Sequence, residues 1–149
     1  MLPTDKLSPH FTFGEMTYSE TALRHGWANY PDPQSIDNLK RLCLLLEQVR
    51  LLFLAPLNIT SGYRGPQVNE AIGSKATSQH CIGCAADFKV AGFTPDEVCR
   101  KILRSNIRFD QLIREYNSWT HISVPNDPER PNRGQALIID ATGTRQFVL

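Results

Sequence analysis

The sequence predicts an α+β fold, with a small and largely antiparallel sheet and flanking helices. Capping signals and helical periodicity dominate the first half of the chain, and short segments rich in β-formers dominate the second half. Helices first and strands later are typical of α+β proteins rather than of alternating α/β folds. A length of 149 residues is usual for one domain, so we expect a single domain over 1–149.

Four helices are predicted from start, stop and periodicity signals. A Thr-x-x-Glu capping box opens the first helix, and Gly26 can end it. The second carries apolar residues at spacings of three and four, which predicts the main core helix. A proline at the first helical position opens each of the last two. The predicted helices run from about Thr12 to His25, Gln34 to Phe53, Pro66 to Ile72 and Thr94 to Ser105.

Five strands are predicted, at about 57–61, 84–90, 109–116, 119–124 and 136–139. We expect loops at Met1–His10 and Ser74–Gly83. The second of these has only polar and turn residues, so it has no hydrophobic reason to hold a fixed shape. Some other group must therefore order it.

Charge and hydropathy exclude several classes of partner. Sixteen basic and fifteen acidic residues give a net charge of +1, and no basic run is long enough to follow a nucleic-acid backbone. The longest apolar stretch, Leu51 to Leu57, is far shorter than the roughly 20 residues that span a bilayer. Met1 to Pro9 has no apolar core of a secretory signal. We expect a monomer made in the cytoplasm, with neither nucleic acid nor membrane as its partner.

The four cysteines offer one close pair, Cys81 and Cys84. A four-cysteine zinc site is disfavoured because Cys43 and Cys99 do not form a second pair. A redox pair is disfavoured because no strand-turn-helix pattern precedes Cys81. We expect reduced thiols that are buried or incidental.

Three residues far apart in the sequence form a candidate metal site. His80 lies in a glycine-punctuated loop, and Asp87 follows on a predicted strand between small alanines that leave room for a counter-charge. His121 shares one face of a later predicted strand with Trp119 and Ser123. Two histidines and one aspartate can form a catalytic zinc site, which leaves a fourth position for water. Chance placement of two histidines and an aspartate is the alternative.

The remaining histidines and two charged residues could have surface or structural roles instead of functional ones. His10 and His25 are expected at the surface or as caps. Arg64 follows a strand and is either a solvated loop arginine or a clamp for a carboxylate or polarised carbonyl. Glu115 is either a surface partner of Arg114 or the general base of a hydrolase.

Three blocks occur together in a specific order. They are Ser61-Gly62-Tyr63-Arg64 with Asn69, then Ser78-Gln79-His80 with Gly83 to Asp87, then Glu115 with Trp119 to Ser123. In this order they resemble the zinc D-Ala-D-Ala carboxypeptidase and L-alanyl-D-glutamate endopeptidase family, which includes many phage endolysins. The resemblance runs from about Ile59 to Val124.

The resemblance implies the fold shared by these peptidases and the Hedgehog zinc-binding domain. It implies one zinc ion held by His80, Asp87 and His121, with bacterial peptidoglycan stem peptide as the substrate. Arg64 would contact the scissile carbonyl or a terminal carboxylate, and Ser78 would assist substrate binding. An enzyme without a signal peptide would reach the cell wall after release from the cell, and whether it comes from phage or bacterium stays open.

One departure concerns the catalytic acid. In several family members it lies three residues before the last histidine, where this chain has Ser118. We expect Glu115 to take the role, reaching the metal through two extra residues that bulge from the strand. A non-catalytic zinc-stabilised binding module and a phage structural protein are the alternatives to an enzyme. The sequence leaves the choice between carboxypeptidase and endopeptidase open.

Overall fold

A computed structural model describes residues 1–149 of the chain. The strands are β1 (Lys6–Ser8), β2 (Phe11–Thr12), β3 (Leu57–Ser61), β4 (Ala85–Val90), β5 (Gln111–Glu115), β6 (Trp119–Ser123), β7 (Gln135–Asp140) and β8 (Gly143–Gln146). The helices are α1 (Phe13–Thr17), α2 (Glu20–His25), α3 (Pro33–Phe53), α4 (Pro66–Ala71) and α5 (Pro95–Leu103), with a 3₁₀ helix at Gln79–Ile82.

Six strands form the main sheet, in the order β3-β4-β6-β5-β7-β8. All neighbours are antiparallel except β5 and β7, which are parallel. The small strands β1 and β2 pair separately. The α+β prediction with a largely antiparallel sheet is therefore confirmed.

The hydrophobic core lies on one face of this sheet, against α3. Leu39 and Leu46 of α3 are fully buried, as are Phe88 of β4 and Ile122 of β6. Side chains alternate along a strand, so the residues before Phe88 and Ile122 point to the opposite face. That opposite face carries the candidate site.

The predicted first helix is divided in two. Thr12 caps α1 as expected, but the chain is extended at Tyr18, and Ser19 caps α2. The carbonyl groups at the end of α1 bond elsewhere, since the Tyr63 amide donates to Met16 O at 2.8 Å and Asn29 Nδ2 donates to Thr17 O at 2.8 Å. These long-range bonds replace those that would continue a single helix.

The two segments expected to be loops are partly regular. Met1–His10 contains β1. Ser74–Gly83 contains the 3₁₀ helix and is ordered by hydrogen bonds from side chains outside the segment. Asn69 Nδ2 donates to Lys75 O and Asn38 Nδ2 donates to Ile82 O, both at 2.8 Å. β8 was not predicted, because its residues are all exposed and carry no apolar pattern.

The longest helix, α3, mixes charged residues with its apolar ones. No helix of the structure combines the length and the hydropathy that crossing a bilayer requires.

Candidate metal and catalytic centre

The fold brings His80, Asp87 and His121 together. Asp87 and His121 are directly opposite each other on β4 and β6, so their side chains lie on the same face of the sheet. His80 comes from the 3₁₀ helix just before β4. All three residues are buried, and one ligand atom from each lies within 4.8 Å of the others.

Both imidazoles are directed at the same carboxylate oxygen. Asp87 Oδ1 is 2.9 Å from His121 Nδ1 and 3.3 Å from His80 Nε2. Two ligands of a tetrahedral zinc ion, each bound at about 2.0–2.2 Å, lie about 3.3–3.6 Å apart. Small side-chain adjustments would therefore admit the ion.

Hydrogen bonding also prepares His80 for a metal. Its Nδ1 lies 2.7 Å from the carbonyl oxygen of Gly62, which can only accept, so Nδ1 carries the proton. The Nε2 lone pair is then free and faces Asp87. A ring nitrogen fixed in this way by a backbone carbonyl is typical of metal-binding histidines. The donor set of two imidazoles and one carboxylate fits zinc.

The electrostatics keep His80 and Asp87 in the forms that bind a cation. Burial lowers the pKa of His80, which favours the neutral ring. Burial alone would raise the pKa of Asp87, but the adjacent His80 and His121 outweigh burial, so that this pKa lies well below its usual range. Neutral imidazoles and an ionised carboxylate are the ligand forms of each side chain.

Glu115 is beside this group, by a different route from the one expected. It pairs directly with Trp119 across a tight β5–β6 hairpin, and no bulge interrupts that pairing. The hairpin turn is made by Tyr116 and Asn117, both with positive φ. Glu115 Oε1 is 3.8 Å from His121 Nδ1. The expectation of a two-residue bulge is thus wrong, because the carboxylate reaches the site from the neighbouring strand.

Burial and the charge of Asp87 both raise the pKa of Glu115. Glu115 makes no pair with Arg114, whose Nη1 instead donates to Asp96 Oδ1 at 2.7 Å. This geometry favours the general-base interpretation over the surface ion pair.

Arg64 lies at the edge of the same site. Its Nη2 donates to Ser78 Oγ at 3.3 Å, and its buried Nε has no hydrogen-bond partner. Burial lowers the pKa of Arg64, although the nearby Asp87 charge opposes this effect. A partly buried guanidinium with a free donor is a better match to a clamp than to a solvated loop arginine.

Gly62 and Asn29 support the site without having been predicted for it. A Cβ at Gly62 would lie 2.2 Å from Met16 O, so only glycine allows this close approach. Asn29 accepts from the Gly65 amide at 2.7 Å and donates to Tyr63 O at 3.0 Å, so it fixes the backbone on both sides of Arg64. Asn29 gives no local signal because its partners on both sides of Arg64 are more than thirty residues away.

The other histidines and the cysteines lie outside this group. His10 Nδ1 is 2.7 Å from Glu47 Oε1 at the surface, and His25 stacks on Trp27 with ring centroids 4.2 Å apart. All four cysteines are free thiols. Cys81 is partly exposed, whereas Cys43, Cys84 and Cys99 are buried. Burial raises the pKa of Cys43 and Cys99 to about 12 and that of Cys84 to about 11.

A family model described as Peptidase M15 matches residues 9–123, more than three quarters of the chain. The chain belongs to the Peptidase M15 family. Every residue of the site described above lies within the part that matches this peptidase family, whereas β7 and β8 lie beyond it. A comparison with curated proteins finds no match. Membership of the M15 family supports a peptidase, and the His-Asp-His group could hold a metal ion.

Proposed function

We propose that this M15 protein is a zinc peptidase that hydrolyses an amide bond in the peptide stem of bacterial peptidoglycan. The observation that carries the proposal is the convergence of His80, Asp87 and His121 within 4.8 Å, with Glu115 on the same sheet face. A zinc ion held by these three residues would polarise the scissile carbonyl and lower the pKa of water. The chain acts as a monomer in this proposal.

Glu115 serves as the proton carrier. Its carboxylate is close enough to the ligand group to take a proton from the attacking water, and it can then give that proton to the leaving amine. Its partly buried position raises its pKa toward the range in which a carboxyl group both accepts and returns a proton.

Arg64 and Ser78 hold the substrate. The unpartnered Nε of Arg64 offers a donor to the oxygen on which negative charge develops. Ser78 Oγ orients the guanidinium and also accepts from the His80 amide at 3.3 Å, so one hydroxyl links the clamp to the metal-binding segment.

The substrate class follows from the ordered motif blocks and the family match. Peptidoglycan stems are the substrates of the zinc peptidases that the blocks resemble, and the M15 match covers all three blocks. We place the activity at the cell wall, reached after release from the producing cell, as in phage endolysins.

Purified peptidoglycan with zinc-loaded protein tests the proposal. The wild type should release new amino groups, and Glu115→Gln should lower the rate by about 10²–10⁴-fold while retaining zinc. His80→Ala should lose both zinc and activity. If the wild type carries zinc and binds the wall but never cleaves it, the binding-module alternative replaces the enzyme.

A further inference from the structure

An aliphatic surface adjoins the candidate site on the same face of the sheet. Strand register places Ile113 beside His121 and Leu137 beside Ile113, in one row that crosses β6, β5 and β7. In the next row Ile139 lies beside Glu115. Paired residues of neighbouring strands point to the same face. Ile113, which is buried, and the partly exposed Leu137 and Ile139 therefore form an aliphatic layer continuous with the site, which we term the aliphatic floor.

The floor is separate from the hydrophobic core. Leu112, Ala136 and Ile138 belong to the core or pack against it, whereas their strand neighbours in the floor do not. Leu137 and Ile139 stay partly exposed to solvent. They also belong to β7, which lies beyond the M15 match.

The position of Glu115 indicates which part of a bound substrate contacts the aliphatic floor. The leaving half of the substrate is the part that carries the released amine, and the acyl half is the part that carries the scissile carbonyl. Glu115 returns its proton to the leaving amine, so the leaving half lies on the β5 side of the three metal-binding residues. Arg64 follows β3, on the opposite side of β4 and β6 in the sheet order. The leaving half thus runs from Glu115 over the floor, and the acyl half lies toward Arg64.

The dimensions set a length for the leaving half. Adjacent strands are about 4.8 Å apart, so Leu137 lies about two strand spacings, or ~10 Å, from His121. One extended residue spans about 3.4 Å. A leaving half of about three residues would reach Leu137, whereas a single residue would reach only Ile113.

The strands on this side of the site offer no free cation for a terminal carboxylate. A carboxypeptidase releases one residue, and the carboxylate of that residue needs a cation close to the scissile bond. The site-facing residues of β5, β7 and β8 include no lysine or arginine. The nearest arginines in these strands are already paired, Arg114 with Asp96 and Arg145 with Asp140.

From this geometry we propose that the protein is an endopeptidase whose leaving half, of about three residues, lies on the aliphatic floor with an aliphatic side chain against Leu137 and Ile139. The inference rests on the proposed function and assigns its direction and substrate length.

Mass spectrometry of digested wall first identifies the bond that the wild type cleaves. Synthetic stem peptides then keep the acyl half constant and vary the leaving half between one residue and three. The wild type should prefer the longer peptide in kcat/KM by about tenfold or more. Leu137→Ser and Ile139→Ser should raise KM for the longer peptide about tenfold, leave kcat and zinc content unchanged, and not affect the shorter peptide. Leu51→Ser, at an exposed leucine of α3, is the matched control.

Release of a single terminal amino acid as the main product would overturn the inference and leave the peptidase proposal intact. The inference would also be overturned if the protein hydrolysed both peptides and the Leu137→Ser and Ile139→Ser variants had the same KM as the Leu51→Ser control. Absence of hydrolysis by the zinc-loaded wild type would overturn both proposals. Methyl NMR of metal-free protein gives a readout without turnover, because the three-residue leaving product should shift Leu137 and Ile139 but not Leu51.

Discussion

Replacing Gly62 by alanine should weaken metal binding without touching a ligand. The added Cβ would lie 2.2 Å from Met16 O, and real Cβ atoms are essentially never closer than 3.0 Å to another heavy atom. The backbone must therefore retreat by at least about 0.8 Å. The bond from His80 Nδ1 to Gly62 O, now 2.7 Å, would approach 3.5 Å, at which little of it remains.

The expected loss of metal affinity follows from the loss of the hydrogen bond between His80 and Gly62. Removing a bond that orients a metal-binding histidine typically lowers metal affinity about 10–100-fold. Overpacking costs about 1–3 kcal/mol, which lowers the melting temperature of the metal-free protein by about 3–10 °C. Competition with a chromogenic chelator measures the affinity, and circular dichroism measures the melting temperature.

Gly73→Ala separates the two effects. Gly73 has a positive φ, which Gly62 does not, and a Cβ at Gly73 would meet nothing within 4 Å. That variant should lose about 1–2 kcal/mol of stability from backbone strain and keep wild-type zinc affinity. If Gly62→Ala binds zinc as tightly as Gly73→Ala does, the reasoning about His80 is refuted.

Further predictions concern the loops around the site. Arg133 donates to Asp110, a buried carboxylate, at 2.6 Å, so Arg133→Ala should lower the free energy of unfolding by about 2 kcal/mol in urea titrations; an unchanged midpoint would contradict this. Burial would raise the pKa of Asp110, but the Arg133 hydrogen bonds outweigh it and the pKa is lowered. The ionised Asp110 should thus contribute its full stabilisation above its unfolded pKa of about 3.9, and this contribution should be lost as the pH falls through the folded pKa. In acid titrations, the free energy of unfolding of Arg133→Ala should therefore fall less than that of the wild type. Asn69→Ala frees the loop carbonyl of Lys75, and hydrogen exchange of the Ser78 amide should become faster, whereas unchanged protection would show that Asn69 does not order this loop.

Local signals in the sequence are sufficient for most of the regular structure. Helix α3 is predicted to within one residue at its start, since its apolar periodicity marks the buried face. Helix α5 opens with a proline as predicted, and it also forms a capping box in which Thr94 Oγ1 accepts from Glu97 N at 3.1 Å. Strands β3 to β6 follow from β-propensity and alternation, and they carry two of the three metal-binding candidates.

What the sequence does not predict depends on partners far along the chain. The break between α1 and α2 comes from bonds made by Asn29 and Tyr63. Part of the order of the His80 segment comes from Asn38, which donates to Ile82 O across 44 positions of the chain. No local pattern encodes such partners, because each is a single polar side chain or amide whose role exists only after folding.

The approach of Glu115 illustrates the same limit at the site. Its spacing of six residues from His121 could be counted in the sequence, but a bulge and a hairpin both accommodate that spacing. The strand pairing of Glu115 with Trp119 decides between them. Likewise, the aliphatic floor could not be predicted, because the parallel pairing of β5 with β7 brings together residues more than twenty positions apart.

Crystallographic anomalous scattering at the zinc edge, on protein grown with one equivalent of zinc, tests the central claim most directly. One peak is expected, about 2.0–2.2 Å from His80 Nε2, Asp87 Oδ1 and His121 Nδ1. A peak held by other residues, or a site in which one of these three side chains turns away from the metal, would contradict the account.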